Sequence, residues 1–299
     1  MQAISARFSE QIARTFGDEG RAWLADLPRL IDHYTTRWRL TIEGSFPNLS
    51  YNYVAPARRA DGAELVLKLG LPRPELITEA AALQLYAGRG CARLLDADPD
   101  GGALLLERLR PGQSLLTLAD DEHATAIAIE LMVALQRFPP AEHPFPSVAN
   151  WAAGLAKLRP HFGGPGPFPP QLLAEAEQLF ADLLPSQAAA VVLHGDLHHD
   201  NIVAAGTSWL AIDPKGVVGE PAYEAGALLR NPYPALLSWP DLPQITARRI
   251  DQLAEGLSVP RERIRGWGLA QALLSAWWDC EEQGGGSEWI AIAEAIAAA

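Results

Sequence analysis

The segment Val191-Val192-Leu193-His194-Gly195-Asp196-Leu197-His198-His199-Asp200-Asn201-Ile202-Val203, with Leu210-Ala211-Ile212-Asp213-Pro214-Lys215-Gly216 close behind it, constrains this chain more than any other. Ile202 to Ala204 and Trp209 to Ile212 are β-prone runs joined by the turn-forming residues Ala205-Gly206-Thr207-Ser208, the pattern of a β-hairpin. Such a hairpin puts Asn201 and Asp213 at its open end and Asp196 on the loop that leads into it. Polar clusters set between apolar strands usually carry chemistry.

Three oxygen-bearing side chains on one compact unit suit metal-assisted phosphoryl transfer. One carboxylate must lie near the attacking hydroxyl and accept its proton, while an amide oxygen and a second carboxylate hold Mg²⁺ against the nucleotide phosphates. Asp196 fits the first duty, Asn201 and Asp213 the second. Two other readings stay open on these residues alone. His194, Asp196, His198, His199 and Asp200 combine imidazoles and carboxylates as a metallohydrolase site does, although the remaining histidines, His33, His123, His143 and His161, are scattered. The alternative is a purely structural polar loop.

Upstream, apolar residues recur at helical spacing from Ile4 to about Tyr34, interrupted near Gly17-Asp18-Glu19-Gly20. Three short strands are expected at Arg39 to Gly44, Tyr51 to Pro56 and Glu64 to Leu69, then a helix from Pro74 to Tyr86. Lys68 stands alone inside an apolar strand, and a buried lysine needs a partner. Glu79 on the following helix is the candidate, with Glu75 its rival; an edge strand with a solvated lysine is the plainer alternative. The strand beginning at Ala103 runs into a break at Pro111-Gly112. Helical periodicity returns at Ala119 to Phe138, Val148 to Leu158, Gln171 to Leu184, Gln244 to Leu257, Pro260 to Cys280 and Gly286 to Ala297. The Gly/Pro run His161 to Pro170 is expected to be a surface connector without regular structure.

A chain of 299 residues with 48% apolar and 20% charged residues is an ordinary globular protein, long enough for two lobes. Its net charge of −12 argues against nucleic acid or an anionic membrane as partner and suits a cationic small molecule, although acidity also serves solubility. Two cysteines, Cys91 and Cys280, make no disulfide framework, and Met1 to Arg7 lacks the basic-then-apolar pattern of a leader. A cytoplasmic location is expected. No apolar run approaches the ~20 residues of a membrane span, and Trp289 to Ala299 is interrupted by Glu294.

The motif H-G-D-L-H-H-D-N, spanning His194 to Asn201, resembles that of the aminoglycoside phosphotransferase family of small-molecule kinases. L-A-I-D-P-K-G, with V-G-E-P after it, narrows the resemblance to the streptomycin 6-kinase and hydroxyurea kinase branch. The resemblance implies an α+β, bilobal protein-kinase-like fold: residues 1–109 as a mostly antiparallel five-stranded nucleotide lobe with N-terminal helices, residues 110–299 as a mainly helical catalytic and acceptor-binding lobe. It implies ATP as donor, Mg²⁺ as cofactor, and as acceptor a hydroxyl on an aminoglycoside-like, streptomycin-type antibiotic or hydroxyurea. A small metabolite such as an amino alcohol or sugar, or a non-catalytic nucleotide-binding protein, are the alternatives. Residue by residue, Asp196 becomes the catalytic base, Asn201 and Asp213 the Mg²⁺ ligands, Lys68 the phosphate-binding lysine held by Glu79, and the backbone at Leu106, Glu107 and Arg108 the partner of adenine. His198, Glu220 and Glu224 fall on the acceptor side. The chain departs from the protein-kinase pattern at the first strand turn, where only Gly44 stands in place of several glycines. Finally, Trp278, Asp279 and Glu282 set an indole beside carboxylates at a helix end, suited to a cationic ligand; a core tryptophan pair with a solvated acidic end is the other reading.

Overall fold

The computed structural model describes residues 4–47, 49–283 and 287–299; the side chains of 282, 283 and 287 lie outside the description. The chain divides into two compact units, Met1–Arg110 and Pro111–Ala299.

In the first unit, α1 (Ala6–Trp38) is followed by β1 (Leu40–Ile42), β2 (Tyr53–Arg59), β3 (Glu64–Leu69), α2 (Pro74–Tyr86), β4 (Leu94–Asp98) and β5 (Ala103–Glu107). The Ser5 hydroxyl starts α1 by accepting the Phe8 N–H at 3.3 Å, satisfying one of the unpaired donors of the first turn. Gly17 leaves helical geometry with φ 57° and ψ −131°, so the expected interruption becomes a kink. The apolar stripe Phe8, Ile12, Leu27, Ile31 and Tyr34 packs with Ala55, Leu67, Leu69 and Leu105 in one core. Each such large side chain removed from water stabilises the unit by roughly 1.5–3 kcal/mol. The strands form an all-antiparallel sheet in the order β1-β2-β3-β5-β4. Lys68 is paired across from Val54 on one side and Leu104 on the other. It therefore sits on a central strand, which removes the edge-strand reading.

The second unit runs β6 (Pro111–Ser114), α3 (Asp121–Leu135), α4 (Val148–Ala152), α5 (Leu158–Phe162), α6 (Pro170–Leu183), β7 (Val191–Leu193), β8 (Ile202–Ala205), β9 (Ser208–Ala211), β10 (Val217–Gly219), α7 (Ala225–Leu229), α8 (Leu242–Leu257), α9 (Arg261–Gln283) and α10 (Ser287–Ala298). Helix α9 is buried nearly all round, through Ile264, Trp267, Leu269, Leu273 and Trp277, and α6, α7, α8 and α10 pack against it. That burial is why its sequence is apolar on more than one face. The β6-β8-β9 sheet and the β7-β10 pair carry the polar segment.

Four local expectations are corrected. Pro111-Gly112 does not end regular structure but opens β6, whose Pro111 and Ser114 pair with Ala205 and Val203. The single helix expected over Val148 to Leu158 is α4, a 3₁₀ turn at Leu155–Lys157 and then α5. The Gly/Pro run is shorter than expected at both ends. His161 and Phe162 stay helical because their rings pack on Trp277, and Pro170 is accepted in the first turn of α6, where no N–H is needed. Val217–Gly219, for which the sequence pattern gives no element, is a strand because β7 offers it a ladder. No helix among the described residues is long and apolar enough to cross a membrane.

Candidate active site

In the first unit, Lys68 Nζ meets Glu79 Oε1 at 2.6 Å, with Lys68 only 2% exposed. Pro74 starts α2 and fixes its phase, so that Leu76, Glu79, Ala80 and Leu83 turn inward while Glu75 stays in solvent. This settles the pairing between the two glutamates. At the end of β5, Leu106 lies between Val66 and Leu94 in the sheet. The Glu107 N–H donates to the Arg93 carbonyl at 3.0 Å, and the Glu107 carboxylate accepts the Arg93 N–H at 2.7 Å. Arg108 is bound to Glu43 at 2.6 Å. The side chains of Glu107 and Arg108 thus brace their own unit. Beside them Arg110 and Arg58 hold the Glu64 carboxyl down at about 2.

In the second unit, β7 delivers the chain to Gly195, which adopts φ +83°. A Cβ there would lie 2.9 Å from the Trp151 ring and 3.0 Å from Val217, so both backbone conformation and space call for glycine. His194 is fully enclosed, and burial pushes its imidazole down to about 4, leaving it neutral. Its Nε2–H donates to the Ile212 carbonyl at 2.8 Å, its Nδ1 accepts the Asp196 N–H at 3.2 Å, and its carbonyl accepts the Lys215 N–H at 2.7 Å. One buried histidine therefore ties the Asp196 loop to the far end of the β8–β9 hairpin. The hairpin turns on Gly206 and Thr207 alone, since Ala205 and Ser208 already pair. The Ile212 N–H closes its open end on the Asn201 carbonyl at 2.9 Å, which brings Asn201 and Asp213 to that end together. Asp213 takes φ +60°, a conformation that Asp tolerates better than most residues.

Asn201 Nδ2 donates to the Asp196 carbonyl at 2.9 Å, which leaves the amide oxygen as the ligand end of that side chain. An amide oxygen and a carboxylate are hard donors of the kind Mg²⁺ takes alongside phosphate oxygens and water, so this pair fits that ion. Among the described residues no group of three His, Cys, Asp or Glu side chains converges on a metal position. Both ring nitrogens of His194 are already bonded, which argues against the transition-metal reading.

Asp196 has a side chain 26% exposed. Its Oδ1 is 3.2 Å from Arg230 Nη2, while among the described residues Oδ2 has longer approaches, 3.5 Å from Asn201 Nδ2 and 3.6 Å from His198 Nε2. Burial pushes its carboxyl up, but His198, Lys215 and Arg230 outweigh it and hold the group well below the usual carboxylate range. His198 Nδ1 accepts the Asp200 N–H at 3.2 Å, while its Nε2 lies 3.3 Å from Asn201 Nδ2 and 3.6 Å from Asp196 Oδ2.

Two acidic residues expected on the acceptor side face inward instead. Glu224 is 3% exposed, and its Oε1 and Oε2 accept the Gly195 N–H at 2.9 and 3.3 Å. Burial lifts its carboxyl to about 7 against the pull of those backbone donors. Glu220 is 2% exposed and is held by Arg263 Nε at 2.7 Å, the Ala188 N–H at 3.1 Å and the Trp267 indole N–H. Both carboxylates turn inward because the buried N–H groups around them need acceptors. At the end of α9, Trp277 belongs to the core, packed on His161 and Phe162. Trp278 is half-buried and meets Trp151 edge-on at 5.8 Å, and Asp279 is half-buried with its carboxyl raised chiefly by burial. The Glu282 side chain lies outside the described residues.

Two residues at the site, Trp151 and Arg230, are absent from the candidates that the sequence supplies. Arg230 carries a readable signal: like Lys68, it is a cation closing an apolar run, Ala225-Gly226-Ala227-Leu228-Leu229, and needs a partner if buried. Trp151 carries none, since its contact with Gly195 depends on α4 packing beside the Asp196 loop.

The two units, an antiparallel sheet with helices and a helical unit carrying the His-Gly-Asp loop and hairpin, define a protein-kinase-like fold. It is shared with a choline/ethanolamine kinase family protein from Mesorhizobium loti, with a TM-score of 0.65 at 16% identity over 93% of this chain and 94% of that one. Residues 37–284 match the aminoglycoside/hydroxyurea antibiotic resistance kinase family, and the chain belongs to it. It is 34% identical to a streptomycin 6-kinase of Streptomyces glaucescens over 273 residues, 90% of this chain and 88% of that protein. It is 32% identical to a hydroxyurea phosphotransferase of Kitasatospora aureofaciens over 290 residues, 93% of this chain and 81% of that protein.

Proposed function

We propose that this protein transfers the γ-phosphoryl group of ATP to a hydroxyl of a small, cationic, streptomycin-type antibiotic or of hydroxyurea, in the cytoplasm where ATP is supplied. The observation that carries the reading is the Asp196 carboxylate in a chain of this family: one oxygen is fixed by Arg230 at 3.2 Å, the other is met more loosely, by Asn201 at 3.5 Å and His198 at 3.6 Å, and Asn201 is bonded to the same loop. Asp196 Oδ2 accepts the acceptor's O–H and orients its oxygen toward the γ-phosphorus. As that oxygen bonds to phosphorus, the bridging P–O bond breaks and its electron pair leaves on ADP. Asp196 ionises so readily that it works as an anionic hydrogen-bond acceptor, taking the proton late, as the acceptor oxygen becomes acidic. Asn201 and Asp213 are the residues that would hold Mg²⁺, which would supply charge neutralisation to the phosphates. Lys68, held in place by Glu79, takes phosphate oxygens, and the main chain from Leu106 to Arg108 meets adenine. Trp278, edge-on to Trp151, offers an aromatic face to a cationic acceptor, and Asp279, the next residue along α9, a carboxylate.

ATP consumption measured with streptomycin, other aminoglycosides, hydroxyurea, choline and simple sugars tests the reading. Turnover with streptomycin or hydroxyurea above the others is expected, and a protein inert to both would overturn it. Asp196→Ala should lower turnover by about 10²–10⁴-fold while ATP still binds, because the orienting group is lost and the nucleotide contacts remain. Near wild-type turnover in that variant would remove Asp196 from its role.

A further inference from the structure

Arg230 lies 34 residues beyond Asp196 in the chain, just past the end of α7, yet its guanidinium reaches Asp196 Oδ1 at 3.2 Å. It is 8% exposed and tied at its other nitrogen, Nη1, to the side-chain oxygen of Gln271 on α9. Gln271 is itself buried and has no room to retreat, because it packs against the backbone at Gly226, where even a Cβ would collide with the amide. A rigid relay thus runs from the central helix through Gln271 and Arg230 to one oxygen of the proposed catalytic carboxylate. The planar guanidinium presents its donors in a fixed fork, so binding Gln271 at one nitrogen sets the direction of the other.

The same geometry divides the two oxygens of Asp196. Oδ1 is held by a charge-assisted bond, whereas among the described residues Oδ2 has only the 3.5 Å and 3.6 Å approaches of Asn201 and His198. A carboxylate free to rotate about its last torsion would present either oxygen to the acceptor. One pinned by Arg230 presents only Oδ2. Phosphoryl transfer depends on alignment of the attacking oxygen, where small displacements are costly in rate.

We infer that Arg230 is a positioning residue for phosphoryl transfer, fixing the Asp196 carboxylate through Oδ1 so that Oδ2 alone receives the acceptor hydroxyl. This rests on the kinase reading given above. Arg230 touches neither nucleotide nor acceptor in this role, and its effect falls on kcat.

The test compares wild type with Arg230→Gln, Arg230→Lys and Gln271→Met, using the full-length protein, ATP and whichever acceptor the wild type turns over. Arg230→Gln should lower kcat by about 10–10²-fold, with KM for ATP and acceptor within about threefold. Arg230→Lys should recover part of the loss, because it restores charge without the fork. Gln271→Met keeps Arg230 but cuts the relay, and should fall between Arg230→Gln and wild type. Guanidinium chloride at low millimolar concentration should raise kcat of an Arg230→Ala variant and leave that of the wild type unmoved. Variants that keep wild-type kcat, or that lose kcat only in proportion to lost folded protein by thermal unfolding, overturn the inference while leaving the kinase reading intact. A wild type inert toward every acceptor removes both.

Discussion

Replacing Glu224 with Gln isolates the buried carboxylate that supports the Asp196 loop. Glu224 is 3% exposed, and burial lifts it from the ordinary 4.5 to about 7, opposed by the N–H groups of Gly195, His194 and Leu197 and reinforced by the charge of Asp196. Its folded value lies above its unfolded one, so its contribution to stability is fully present below about pH 4.5 and lost as pH rises through about 7. The displacement corresponds to roughly 3 kcal/mol, with little discount for solvent because the group is enclosed. Glu224→Gln cannot ionise and carries no such loss, while its amide oxygen still accepts the Gly195 N–H. Urea unfolding of both proteins at several values between about pH 5 and pH 8 measures the difference, in which groups titrating in both, such as the buried His194 and His199, cancel. The difference should move by roughly 2–3 kcal/mol in the variant's favour as pH rises, most of it below neutrality. A difference that stays flat across that range would refute the assignment of a neutralised carboxyl beneath the loop.

The remaining expectations concern residues whose duties the fold divides. Glu220→Gln should destabilise the protein by about 2–4 kcal/mol in denaturant unfolding, since it strips the Arg263 guanidinium of its carboxylate, and should leave acceptor KM within about threefold. A large KM change at unaltered stability would return Glu220 to the acceptor side. Asp213→Ala should weaken Mg·ATP by about tenfold or more in calorimetry while metal-free ATP binding changes little; equal affinity with and without the substitution would count against its metal role. Arg249 is buried, bonded to Asp121 and to the carbonyls of Asn231 and Leu228 at 2.7 and 3.2 Å. Arg249→Met should cost about 3–5 kcal/mol, and a change within ~1 kcal/mol would show that Arg248 alone satisfies Asp121.

Much of the framework is legible in the order of residues alone. The bounds of α2, and the need of Lys68 for a carboxylate on that helix if it is buried, follow from helix patterning and from the penalty on an unpaired cation. That β3 is a central strand and that Glu79 rather than Glu75 is the partner come from the sheet order and the helix phase. The β8–β9 hairpin follows from two β-prone runs around a Gly-containing turn. Features that no local pattern announces depend on distant neighbours. Glu220 and Glu224 look like acceptor-side acids in a run of loop residues, and only the packing of α9 and the Gly195 turn shows them occupied by Arg263, Trp267 and backbone N–H groups. The helix expected over Val148 to Leu158 gives way after Ala152 to a 3₁₀ turn, and at that point Gly154 lies close to Trp278, a neighbour more than a hundred residues away in the chain.

The order and spacing of His194, Asp196, Asn201 and Asp213 are set by the sequence itself, because a short loop and a two-residue turn leave those side chains few places to go. Which oxygen of Asp196 is held, and by what, is decided only when α7 and α9 pack. Arg230 and Gln271 are 41 residues apart and meet at the Asp196 loop through burial in a shared core, not through any local rule of the chain.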